Sequence, residues 1–98
     1  MVRETVIEKY LVAQVKALGG EVRKVQWVGR RGAPDRLVML PRCGRFGQCG
    51  TLTSFWVELK APGEKAKPHH VREHERMRAM GQTVVVIDGL DAVDELLT

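Results

Sequence analysis

An α/β fold, a small mixed β-sheet flanked by helices in the order α-β-β-β-α-β-α, is predicted by three features of the chain. First, Ile7, Leu11, Val15 and Leu18 recur at helical spacing and the run halts at Gly19-Gly20, as in a helix that buries one stripe and ends in a glycine cap. Second, two stretches of strand character, residues 36–40 and 52–60, flank a glycine-rich connection and read as a hairpin. Third, the nearly continuous apolar run Thr83-Val84-Val85-Val86-Ile87 follows a helix-forming stretch. A helix between two strands is a crossover, so this buried strand runs parallel to the one before it, with right-handed connection.

Composition sets the limits. Ninety-eight residues, 44% of them hydrophobic, are enough for one core, and the chain reads as a single domain over residues 1–98. A net charge of +4 suits a polyanionic partner, although 29% charged residues is an ordinary proportion. No apolar run is long enough to span a bilayer and no signal peptide is visible, so a soluble, cytoplasmic protein without membrane partners is expected. No repeat, low-complexity tract or phosphate-binding glycine motif of the P-loop type occurs.

The first helix is expected over about residues 3–18. Glu8 falls at the border of its apolar stripe, beside Val12 and Val15, where a carboxylate is costly unless paired or metal-bound. Glu4, one turn earlier, is accounted for by the helix dipole. Residues 21–27 alternate as an amphipathic strand. Gly29-Arg30-Arg31-Gly32 then reads as a flexible basic loop, either solvated or delivering Arg30 and Arg31 to phosphate oxygens. It leads directly into Ala33-Pro34-Asp35-Arg36.

Pairing strand 36–40 with strand 52–60 sets the start of the first beside the end of the second. That brings Asp35, Glu58 and Lys60 to one end of the sheet. Glu58 and Lys60 share a strand face, with Val57 and Leu59 on the other. The bland reading is a cross-strand ion pair. The chemical reading is two hard oxygen ligands for Mg²⁺ or Mn²⁺, with a lysine suited to a phosphate or an activated water.

The hairpin connection holds Cys43 and Cys49, too few for a tetrahedral zinc site and reduced inside a cell, so it is read as structural. After Lys60 comes a basic loop with Lys65 and Lys67. A helix follows from Pro68 to just before Gly81, with Val71, His74, Met77 and Arg78 or Met80 on its buried face. His69 and His74 read as surface or packing residues. A short helix over Leu90 to Leu97 closes the chain. Ser54 is the sole serine and lacks an evident base, so no covalent intermediate is expected.

Pro34-Asp35 followed at a distance by Glu58-Leu59-Lys60 resembles the PD-(D/E)xK nuclease signature. Adding Glu8, Leu18-Gly19-Gly20, the run Gly29 to Arg36, Val57 to Ala61 and Gly81, the chain resembles the stand-alone VRR-NUC domain over roughly residues 4–97. The resemblance implies a restriction-endonuclease-like core and a metal-dependent DNA endonuclease of repair or recombination, acting on branched or four-way DNA in a bacterial or phage-infected cell. It implies that Glu8 joins Asp35 and Glu58 as a metal ligand, that the carbonyl of Leu59 adds an oxygen, and that no organic cofactor is used. Related domains tend to carry glutamine where this chain has His70, which leaves open whether His70 orients water or phosphate or has no catalytic part. With no further domain in view, specificity is expected from a small surface or from a homodimer that cuts opposing strands. Trp27, Phe46, Phe55 and Trp56 are the interface candidates, or else core residues. The alternative function is a nucleic-acid-binding module whose acidic cluster is structural.

Overall fold

Ile7, Leu11 and Val15 are fully buried along one stripe of α1 (Glu4–Ala17), which is what their helical spacing requires. The helix ends on Gly19 in the left-handed region, where the Gly20 N–H donates to the Val15 carbonyl and the Gly19 N–H to the Lys16 carbonyl. These bonds satisfy the last carbonyls of the helix. A Cβ on Gly20 would lie 2.3 Å from the Met39 carbonyl oxygen, so only glycine lets this turn pass so close to the sheet.

The structure, a computed structural model, describes residues 3–41 and 54–97. After α1 come β1 (Glu21–Lys24), β2 (Arg36–Met39), β3 (Ser54–Leu59), α2 (Pro68–Ala79), β4 (Val84–Ile87) and α3 (Leu90–Leu97). This is the expected order. The hairpin connection with Cys43, Phe46 and Cys49 lies outside the described residues.

The sheet runs β1-β2-β3-β4, antiparallel except for the parallel pair β3–β4. Strand alternation sends Phe55, Val57 and Leu59 into the core with Val38, Ile87, the α1 stripe and Val93 of α3. Trp56 and Glu58 take the opposite face, toward α2. Phe55 is 1% exposed, so it is a core residue and not an interface anchor.

Three expectations are corrected. Strand β1 stops at Lys24, not Trp27, because the chain then bends to bring the Trp27 indole onto the Pro34 carbonyl. The buried face of α2 runs through Glu73, His74 and Met77, while Val71 and Met80 are exposed. The stripe passes through an acid because Arg30 and Arg76 neutralise it. Strand β4 is not buried throughout: it lies at the sheet edge, and Val86 is exposed.

The Gly-Arg-Arg-Gly loop is docked, not free. Gly32 has φ +85°, and a Cβ there would sit 2.9 Å from the His69 carbonyl oxygen at the start of α2. Gly32→Ala should therefore cost about 1–3 kcal/mol by urea unfolding, combining a left-handed backbone with a clash. Gly29→Ala, at φ +72° with open space around it, should cost only the backbone part, about 1–2 kcal/mol. Equal losses at the two sites would mean that the loop does not lean on α2.

Candidate active site

Asp35 owes its position to the turn before it. Pro34 is fully buried and its carbonyl accepts the Trp27 indole N–H at 2.8 Å. The Val25 N–H donates to the Asp35 carbonyl at 2.9 Å, extending the β1–β2 ladder by one step. Arg36 is paired with Val57, so continuing that register by one residue sets Asp35 against Glu58. Lys60 continues β3, its N–H donating to the Ile87 carbonyl at 2.9 Å. Between them, Leu59 keeps its side chain in the core.

The charges of these groups act on one another. Burial pushes the Glu58 carboxyl up to about 7; the Lys60 and Arg36 cations oppose the rise, and the Asp35 and Glu4 carboxylates add to it. The Glu58 side chain is 12% exposed, whereas that of Asp35 is 48% exposed. One desolvated acid thus stands beside a hydrated one.

Arg36 is the residue whose role the sequence did not disclose. Its side chain is 8% exposed, with one guanidinium nitrogen 2.7 Å from Asp35 Oδ2 and another 2.9 Å from Glu8 Oε2. Burial alone would lower its pKa, but Glu8 and Asp35 outweigh that and raise it. Glu8 therefore reaches this end of the sheet through Arg36, and the α1 carboxylate that acts on Glu58 is Glu4. The available signal was strand parity: Arg36 shares a face with Val38, the inward face of β2.

Among the described residues no three His, Cys, Asp or Glu side chains converge as a ready-made metal cage. The donor set still fits a hard divalent ion. Mg²⁺ keeps several waters and is commonly held by one or two carboxylates plus phosphate oxygens. A cation at Asp35 and Glu58 would also reverse the like-charge repulsion that raises Glu58.

No family model matches this chain. A relative named "Putative nuclease p44", from Acyrthosiphon pisum secondary endosymbiont phage 1, is 46% identical over 91 residues, covering 93% of this chain and 88% of the relative. A solved structure described as a VRR_NUC domain is 41% identical and matches with a TM-score of 0.80, over 99% of this chain and 96% of that one. The chain belongs to the VRR-NUC family. As a VRR-NUC chain it is a nuclease, and its mixed four-stranded sheet with flanking helices is the VRR-NUC fold.

Around Asp35 and Glu58, α2 contributes more than its sequence suggested. His74 is 1% exposed, and its Nε2 lies 3.5 Å from Glu58 Oε1 without making a hydrogen bond. Burial lowers its pKa, so this is a neutral imidazole approaching an acid and not an ion pair. Its spacing of four from His70 places both on one helix face. His70 Nδ1 accepts the Lys67 N–H at 3.3 Å and so caps α2, a structural task the sequence left open.

The basic residues divide. Arg30 reaches the buried Glu73 at 3.4 Å and ties the loop to α2, while remaining 46% exposed. Arg31, Lys65 and Lys67 are exposed. His69 is held below its usual pKa by burial and by Arg31, Lys67, Arg72 and Lys60, which marks a cluster of cations at the start of α2. No helix among the described residues is long and apolar enough to cross a membrane.

Proposed function

We propose that this VRR-NUC chain is an Mg²⁺- or Mn²⁺-dependent endonuclease that hydrolyses DNA phosphodiesters, with preference for branched or four-way DNA in repair or recombination. The observation that carries the reading is the placement of Asp35 against Glu58, with Lys60 two residues further along the chain. Asp35 and Glu58 are the residues that hold the ion, and the Leu59 carbonyl and Glu8 are the further oxygen donors at this end. When bound, a divalent ion supplies a water of lowered pKa and positive charge on the phosphate. Lys60 positions the attacking water or neutralises charge gathering on phosphorus. Arg30, Arg31, Lys65 and Lys67 hold flanking phosphates. Two copies related by a two-fold axis present two such sites, the arrangement that cuts opposing strands.

Purified protein with labelled linear, flapped and four-way DNA, in Mg²⁺, Mn²⁺ or EDTA, tests the whole reading. Cleavage that needs the metal and favours the branched substrates is expected, and sedimentation should give about twice the chain mass of 11.0 kDa. DNA binding without cleavage in any metal would establish the binding-module alternative.

Glu58 also sets a pH dependence. Its folded-state pKa is about 7 against an ordinary 4.5, so the metal-free native state holds a proton that the unfolded state has lost between those values. Its contribution to stability is present below pH 4.5 and is lost as pH rises through about 7. The depressed histidines run the opposite way. The comparison must therefore be made with Glu58→Gln, which has no proton to lose. In EDTA the advantage of Glu58→Gln over the parent should grow from pH 5 to pH 8. Proton and metal compete for the same oxygens, so the rise in melting temperature on adding Mg²⁺ should be larger at pH 8 than at pH 6. An Mg²⁺ response independent of pH would separate Glu58 from the metal.

A further inference from the structure

We propose that the cleft beside Asp35 is a subsite for one unpaired nucleotide of the DNA strand, with the Trp27 indole as its stacking surface and Lys24 and Arg30 as its phosphate partners. This deepens the nuclease reading above and rests on it for the identity of the ligand as DNA.

The cleft has a volume of about 680 Å³ and its lining includes Lys24, Gln26, Trp27, Arg30 and Asp35. That volume lies within the range of small-ligand sites. Beside the apolar Val25 and Ala33 and the Asp35 carboxylate, two cations, an amide and an indole line the cleft, and a simple anion site has no use for the ring. They are equally wrong for an apolar ligand, which would strand two charges. A nucleotide matches all of them, offering a phosphate, base-edge polar groups and a π-face. Asp35 at the cleft wall ties the site to the acidic end of the sheet, so a nucleotide here neighbours the phosphate to be cut.

Trp27 is constructed as a rigid platform. Its only hydrogen-bond donor is already committed to the Pro34 carbonyl at 2.8 Å. Trp56 backs it, with centroids 5.1 Å apart and planes tilted by 48°, and Trp56 is in turn held by Gln82 at 3.1 Å. Trp27 nevertheless remains 36% exposed. What it offers a ligand is therefore ring surface alone, the feature used by proteins that stack single-stranded bases. In the interior of a duplex both faces of a base are covered by its neighbours, so along a continuous duplex only an unpaired nucleotide can use this ring. Arg30 is bound to Glu73 by a single long contact of 3.4 Å and is 46% exposed, which leaves other guanidinium donors for phosphate.

The test uses the full chain in EDTA, where binding is separated from cleavage. The chain has two tryptophans, so Trp56→Phe leaves Trp27 as the sole indole emitter. Oligothymidylate should quench that emission strongly, and a relaxed, covalently closed duplex circle, which has neither unpaired bases nor ends, should not. By anisotropy of a labelled oligothymidylate, Trp27→Leu should weaken binding about 5- to 150-fold, the range set by loss of one base–aromatic stack. Lys24→Ala should reduce the slope of log affinity against log salt by about 0.7, one phosphate on a single strand. Trp27→Phe keeps a ring and loses the indole N–H. It should stay near wild type; a loss equal to that of Trp27→Leu would assign Trp27 to holding Pro34 and overturn the proposal.

Equal quenching by closed duplex circle and single strand would overturn it too, as would unchanged emission in a chain that binds oligothymidylate. The two readings fail separately. A chain that cuts DNA with Mg²⁺ but shows no Trp27 quenching loses the subsite and keeps the nuclease. Conversely, a chain that is quenched by single strands but cuts nothing in Mg²⁺ or Mn²⁺ keeps the subsite and loses the nuclease.

Discussion

Asp35→Asn and Glu58→Gln should each lower DNA cleavage by on the order of 10³-fold or more, while the fold and most DNA binding persist. Both substitutions are isosteric and remove one carboxylate charge from the proposed metal site, where the transition state would concentrate negative charge on phosphorus. Neither removes apolar packing: Glu58 takes no part in the core cluster, and the Asp35 side chain is half hydrated. Asp35→Asn also keeps an oxygen for Arg36, which retains its bond to Glu8. Binding in EDTA should hold or tighten, because a carboxylate near phosphate is repulsive without a cation between them. Lys60→Ala should fall on the order of 10²- to 10³-fold in the same single-turnover assay, as for removal of one preorganised charge-stabilising donor. Near-wild-type cleavage by Asp35→Asn would remove this acidic pair from the chemistry.

Arg36→Met is expected to destabilise the protein by about 2–4 kcal/mol and to slow cleavage with it. Methionine replaces much of the buried stem, so the loss is chiefly electrostatic. Breaking a fully buried pair costs about 3–5 kcal/mol because a charge is stranded. Here the freed partners are Glu8 and Asp35, 35% and 48% exposed, and they can return to water. That places Arg36→Met toward the lower end. The reverse experiment is harsher. Glu8→Ala with Asp35→Ala leaves a guanidinium 8% exposed and unpaired, and should cost more than Arg36→Met by urea unfolding. A loss below about 1 kcal/mol in Arg36→Met would mean that neither pair holds the site together.

The helix ends were legible because their determinants are local. Gly19 and Gly81 both adopt positive φ after the helices they terminate, and each closes a pair of bonds to the preceding turn. Those bonds involve residues within five positions, so the signal is contained in a short window. Strand parity was local as well: Phe55, Val57 and Leu59 face the core, and Glu58 does not. Hairpin pairing then carried Asp35 to Glu58 across the intervening connection, since register follows from alternation once two strands are known to pair.

Other features depended on which elements meet, and no window of sequence contains that. Arg36 reads as an ordinary polar residue at a strand start until α1 folds over it and presents Glu8. Glu73 looks like a surface acid on a charged helix, yet it is buried because a loop 43 residues earlier brings Arg30 to it. Val71 and Met80 look like core residues and are exposed, because the rotation of α2 brings its Glu73 to Arg30 and its Arg78 to the Val84 carbonyl. By itself, then, the sequence determined the element order, the glycine ends of α1 and α2 and the faces of β3, which arise from backbone geometry and apolar periodicity over a few residues. Only the tertiary structure decided the partners of buried charges, because the cost of burying a charge is set by whatever opposite charge the fold delivers beside it.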